Sequence, residues 1–226
     1  MMILEKLLQN FDKEIAKIEI SGGKFLKGSI IEISNEIVVL FNGTDYLYIP
    51  IDHIQNLKVN NDNEDQIDEP AEPPSINKDK EELTLTQVLT QAQGMYIEIY
   101  VTGKLPLNGY ISNIMDDFIV FQSPIYKSQY IAIKHLKWLI PYSSNKRPYE
   151  LAEKTFDILP YNEPLSNTLE SQVEKMKNKL VVINNGEETH CIGKLNNVVG
   201  KIVEIKTARS TSAYINMDHF KTIQEV

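Results

Sequence analysis

Three of the chain's four histidines, His53, His135 and His219, fall at one position of a recurring motif: YIPIDHI from Tyr48, YIAIKHL from Tyr130 and YINMDHF from Tyr214. An imidazole placed this way could titrate near neutral pH, ligate a metal ion or stack on a nucleobase. Beside the second copy stand Lys134, Lys137 and Trp138, with Lys146 and Arg147 further on. Cations next to an aromatic are the minimum footprint for single-stranded nucleic acid. The simpler alternative is that each histidine closes the turn between two strands, with a ring nitrogen bonded to backbone. That alternative is favoured, because a residue shared by every repeat and flanked by aliphatics usually serves the fold. Convergence of all three rings on one metal would need three-fold closure, so no metal and no cofactor are expected. The sequence holds no glycine-rich phosphate loop, no Ser-His-Asp spacing and no helical histidine pair. Asp116 and Asp117, in IMDDF, read as turn formers. No catalytic residue is assigned.

The elements that hold these residues repeat as well. The motif tyrosines Tyr48, Tyr130 and Tyr214 lie 82 and 84 residues apart. Gly28, Gly109 and Gly193 stand 20, 21 and 21 residues before them, each between strand-like runs. Apolar residues at helical spacing come earlier still: Leu4, Leu7, Leu8 and Phe11; Leu85, Val88, Leu89 and Ala92; Leu169, Val173, Met176 and Leu180. Thr84-Leu85-Thr86-Gln87 and Asn167-Thr168-Leu169-Glu170 both read as capping boxes opening a helix. Alternating Ile, Val, Phe and Tyr between turn signals such as SGG, FNGTD and VTG then predicts about five short strands per repeat. Five strands in so short a segment favour closure, which removes exposed edges, and the recurring glycine suits a strand bend. The fold expected is mainly β with short helices: three tandem small five-stranded barrels, each preceded by a short helix.

Two connectors separate the repeats. Residues 60–82 hold nine acidic residues, two lysines and three prolines, with almost no large apolar side chains. Such a segment buries too little surface to offset its ordering entropy, and reads as a flexible linker. It carries most of the net charge of −8, so acidity argues against polyanion binding by the linker and says little about the rest. The second connector, 142–165, has an amphipathic stretch around Leu151 to Leu159 that predicts a short helix. The expected division is therefore barrels at 1–59, 83–141 and 166–226, with linkers at 60–82 and 142–165. One cysteine, Cys191, excludes an internal disulfide and a cysteine-cluster metal site. The N-terminal MMILEKLL lacks a basic region and a cleavage site, and no apolar run reaches the length of a membrane span. A cytoplasmic protein without membrane contact is expected.

The helix-and-five-strand order resembles the Sm-like, or SH3-like, barrel. SQYIAIKHLKWLIP, from Ser128 to Pro141, is similar to the strand-turn-strand segment of the bacterial Sm-like RNA chaperone Hfq, whose Tyr-Lys-His motif binds uridines. Lys134 and His135 fill the Lys-His positions, but Ile133 replaces the tyrosine, and Asp52 and Asp218 replace the lysine in the other repeats. The chain also resembles a family of small uncharacterised domains from spore-forming Bacillus relatives, some described as spore coat proteins. Lys27-Gly28 or Asn108-Gly109, followed by the Tyr-Ile-Pro-Ile-x-His-Ile segment, carry that likeness. It implies a non-enzymatic structural or scaffolding protein acting through other proteins, coat or assembly components among them, and through self-association by strand edges. The alternative implied by the Sm likeness is a single-stranded RNA binder using Lys134, His135, Lys137 and Trp138.

Overall fold

The computed structural model describes residues 15–60, 67–76, 83–143, 146–152, 156–159 and 161–226. The helix expected around Leu4 to Phe11 lies outside the described residues. Within them the protein is mainly β, with two α-helices and antiparallel strand pairs. The first repeat supplies β1 (Ile15–Ile20), β2 (Lys24–Ile33), β3 (Ile37–Phe41), β4 (Tyr46–Pro50) and β5 (Ile54–Asn60). The second begins with α1 (Leu85–Ala92) and continues through β6 (Tyr96–Tyr100), β7 (Leu107–Ile114), β8 (Phe118–Ser123), β9 (Lys127–Ala132) and β10 (Trp138–Pro141). The third runs from α2 (Leu169–Lys175) through β11 (Leu180–Ile183), β12 (Ile192–Val199), β13 (Ile202–Lys206), β14 (Ser212–Asn216) and β15 (Thr222–Glu225).

Two compact units are formed, one from Met1–Ile99 with Lys137–Arg147, the other from Tyr100–Leu136 with Pro148–Val226. They do not follow the repeat boundaries: the second repeat gives β10 to the first unit and β7, β8 and β9 to the second. In the first unit the strand order is β10-β4-β3-β2-β1-β5, and in the second it includes β14-β13-β12-β11-β15-β9-β8-β7. The pattern β5-β1-β2-β3-β4 thus recurs as β15-β11-β12-β13-β14.

The second strand of every repeat bends at the same place. A Cβ on Gly28, Gly109 or Gly193 would run into the carbonyl oxygen of Phe41, Gln122 or Lys206 on the neighbouring strand. Two residues beyond each glycine the register shifts, at Ile30/Glu32, Ile111/Asn113 and Leu195/Asn197, as a β-bulge does when it sharpens twist.

Closure of a repeat by its own fourth and fifth strands is not among the described pairings. The fourth strand is covered by the fifth strand of the following repeat. In the first unit β10 pairs with β4, Leu139 opposite Tyr48. In the second, β15 pairs with β9, Ile223 opposite Tyr130 and Thr222 opposite Ile131. Either partner would satisfy the edge backbone, and pairing with the next copy also joins one repeat to the next.

The helices begin close to where their sequences predict. Thr84 and Gln87 form the expected capping box on α1, which buries Val88, Leu89 and Ala92. On α2 the cap is Thr168, one residue later than the predicted box, and its side chain accepts from the Ser171 N–H. A further carboxylate reaches each first turn: Glu36 Oε2 accepts the Leu85 N–H at 2.8 Å, and Asp117 Oδ1 the Leu169 N–H at 2.7 Å. Both acids favour the positive end of the helix.

The connectors differ from expectation. Residues 67–76 of the acidic segment are seated on β4, and Ile76 is fully buried. In the second connector a tight turn with left-handed backbone at Tyr149 and Glu150 spans Pro148–Glu150, and residues 151–152 and 156–159 are not helical. The helix expected at Leu151 to Leu159 is absent from that described part, while residues 153–155 lie outside it. Phe156 instead packs 5.4 Å from Tyr110, and the Leu159 N–H donates to the Tyr110 hydroxyl at 3.0 Å. These side-chain anchors compete with helix formation for the same residues.

Candidate functional site

In the first two repeats strand alternation turns the motif tyrosine of the fourth strand toward the face that the following connector crosses. Tyr48 is 1% exposed; its hydroxyl donates to the Ile76 carbonyl at 3.2 Å and accepts from the Ile76 N–H at 3.3 Å. Burial pushes that hydroxyl well above the ordinary tyrosine pKa. Tyr46, two residues earlier, donates to the Glu72 carbonyl at 2.6 Å. Tyr130 is 6% exposed and shares a 2.7 Å hydrogen bond with the Tyr161 hydroxyl, which in turn donates to Glu163 Oε2. Burial and the Tyr130 hydroxyl together raise Tyr161. Around Tyr130 lies the core of the second unit, where Phe118, Val120, Val173, Met176, Val181 and Phe220 pack together.

Each motif histidine ends a short 3₁₀ turn between the fourth and fifth strands. His53 Nδ1 is 3.0 Å from Ser21 Oγ. His135 Nε2 lies 3.0 Å from the Asp218 carbonyl oxygen, on the following repeat. The His219 ring is exposed, and its backbone carbonyl accepts from Asn184 Nδ2. Lys134 is drawn to the same Asp218, its Nζ 3.0 Å from Oδ1, while Lys201 Nζ holds Oδ2 at 2.8 Å. Lys201 and Lys134 keep the Asp218 carboxyl at about 2.

The remaining members of the basic, aromatic cluster, Lys137, Trp138, Lys146 and Arg147, fall in the first unit. Trp138 is 6% exposed; its Nε1–H donates to Glu98 Oε1 at 3.3 Å, and Lys24 Nζ stands 5.7 Å from its ring. Burial raises the Glu98 carboxyl, partly opposed by that indole hydrogen bond. Lys137 is half-buried. Arg147 lies over the Tyr96 ring at 5.2 Å and donates to its hydroxyl at 2.9 Å. Tyr48 and Tyr130 are packing residues, with no exposed ring face. No group of three or more metal-binding side chains occurs among the described residues, and no described helix is long and apolar enough to cross a membrane.

The third repeat departs from this scheme at matching positions. Tyr214 is 69% exposed. Opposite it stands Glu204, where Val39 faces Tyr48 and Val120 faces Tyr130. Glu204 is bonded by Asn196, Ser212 and Lys206, which hold its carboxyl at about 2. Lys201 takes the place of the helix-capping acids Glu36 and Asp117. The capping role of those acids, and the anchoring by Ile76 and Tyr161, had no periodic signal. The usable clue was an acid before the third strand in two repeats and a lysine in the last.

Fold and site together define a mainly β protein in which the fourth strands of the first two sequence repeats pair with the fifth strand of the repeat that follows. A model of the third domain of the YwrJ family matches residues 168–223, from the cap of α2 into β15. The chain is 33% identical over 221 residues to the uncharacterized protein YwrJ of Bacillus subtilis (strain 168), covering 96% of this chain and 98% of that one. The chain belongs to the YwrJ family.

Proposed function

We propose that this protein is a non-enzymatic structural component that acts by binding other proteins in an assembly, with the spore coat as its setting. The finer architecture is three tandem Sm/SH3-like units. The observation that carries the reading is the use of the repeated tyrosine-to-histidine segment for joining copies: its tyrosines and fourth-strand edges are consumed by packing in the first two repeats and, among the described residues, left open in the third. A surface built for association and left uncovered suits a scaffold. The coat setting rests on the sequence likeness to Bacillus domains described as spore coat proteins.

The single-stranded RNA alternative has less support. Trp138 is buried and offers no stacking face, and Lys134, although exposed, has the Asp218 carboxylate 3.0 Å from its ammonium, where a phosphate would meet a negative charge. The deciding experiment for the scaffold is a fluorescent fusion tracked through sporulation in a Bacillus host. A shell around the forespore is expected; fluorescence that stays diffuse in the mother cell at every stage overturns the coat assignment.

A further inference from the structure

We infer that the open edge of β14 binds the open edge of β5 on a second copy of this chain, repeating between molecules the strand pairing used twice within each one. The inference rests on the scaffold reading and deepens it by naming the partner and the surface.

The two internal junctions define the site. In each, a fourth strand pairs with the fifth strand of the next repeat, and the residue nine positions after the motif tyrosine lies opposite a motif tyrosine. Those fifth-strand residues, Leu139 and Ile223, are 1% and 0% exposed. Their partners on the fourth strands, Tyr48 with Ile49 and Tyr130 with Ile131, are equally hidden. Only two strands of this kind have no such partner among the described residues. β14 pairs with β13 alone and β5 with β1 alone, and each ends a strand order. The matching residues are uncovered there: Tyr214 is 69% exposed, Ile215 and Leu57 are half-buried, and Asn56 is exposed.

The register is given by the copies. The Ala132 N–H donates to the Lys221 carbonyl across the β9/β15 junction, so Ile131 and Thr222 next to it form a pair without mutual hydrogen bonds. Transferred to the open edges, Asn216 meets Gln55, Ile215 meets Asn56, and Tyr214 meets Leu57. β14, SAYIN, carries neither proline nor lysine, the usual devices that keep an edge from pairing. Because the two edges differ, the contact is head-to-tail, and it propagates into a ring or a filament. Glu204 and Lys201 replace the apolar and helix-capping residues that reinforce the internal junctions, so this contact relies on strand edges and forms with rising concentration.

The test is a directed disulfide in the full chain. Ile215→Cys and Asn56→Cys are made separately, mixed, and oxidised gently. Antiparallel pairs of this kind hold their Cα atoms about 4.5 Å apart, inside the roughly 4.4–6.8 Å span of a disulfide. A crosslinked dimer in the mixture at several times the yield of either variant alone is expected. Phe25→Cys, exposed on β2, replaces Asn56→Cys as the control and should not crosslink with Ile215→Cys. Equal yields in all samples, or none while sedimentation shows association of the wild type, overturn this pairing and leave the scaffold reading standing. A wild type that stays monomeric by sedimentation at all concentrations also overturns it. Circular dichroism of each variant matching the wild type establishes that the cysteines have not unfolded the chain.

Discussion

Replacing the same motif residue by alanine in each repeat, as Tyr48→Ala, Tyr130→Ala and Tyr214→Ala, should give three different results. Tyr48 and Tyr130 are 1% and 6% exposed, so each truncation opens a cavity in a packed face. Deleting a buried aromatic side chain costs about 3–5 kcal/mol. At Tyr48 the loss also strips a hydrogen bond from both the N–H and the C=O of buried Ile76, adding on the order of 1–3 kcal/mol if they stay unpaired. Tyr214, 69% exposed, should change stability by no more than about 0.5 kcal/mol. In a chain of this size each kcal/mol moves the thermal midpoint by roughly 2–4 °C, so about 10 °C separates the first two variants from the third. Thermal melts monitored by circular dichroism at low micromolar concentration, where intermolecular pairing is weakest, read the difference directly. If Tyr214→Ala fell as far as the other two, the assignment of the first two tyrosines to connector packing would be wrong.

Gly109→Ala should lower the melting midpoint by the equivalent of about 1–3 kcal/mol, because its Cβ would meet the Gln122 backbone carbonyl, which has little room to yield. Gly23→Ala, at positive φ but in open space, should cost less, and urea midpoints of the two variants make the comparison. Asp218, held at about 2 by Lys201 and Lys134, has a folded pKa below its unfolded value of 3.8. Its stabilising contribution is therefore present above about pH 4 and lost as pH falls toward 2; the urea midpoint of Asp218→Asn should converge on that of the wild type across this window, and a constant gap would refute the linkage. Fluorescence anisotropy with short U-rich and A-rich oligonucleotides at low salt should show no saturable binding. Binding that weakens with salt and with both Lys134→Ala and His135→Ala would revive the RNA reading.

Much of the local structure was legible because it rests on short-range rules. Alternating Ile, Val and Phe residues marked the strands, Thr84 and Gln87 marked the start of α1, and the glycines marked the strand bends, where a carbonyl stands too close for a Cβ. The repeat was visible as spacing. The readings that failed depended on a partner distant in sequence. Residues 60–82 lack hydrophobic periodicity, yet one isoleucine, Ile76, suffices to seat residues 67–76 because the Tyr48 hydroxyl meets its backbone. Residues 151–159 have helical spacing, but Phe156 and Leu159 are anchored by Tyr110.

The candidate site shows the same division. Spacing along the chain was enough to make Tyr48, Tyr130 and Tyr214, and with them His53, His135 and His219, copies of one another, since equivalence requires only a shared pattern. Their different roles emerged from the folded arrangement alone. A strand edge is satisfied by whichever strand reaches it, so the fate of each tyrosine depends on the chain beyond its own repeat: a connector and a fifth strand cover Tyr48 and Tyr130, and among the described residues nothing comparable covers Tyr214.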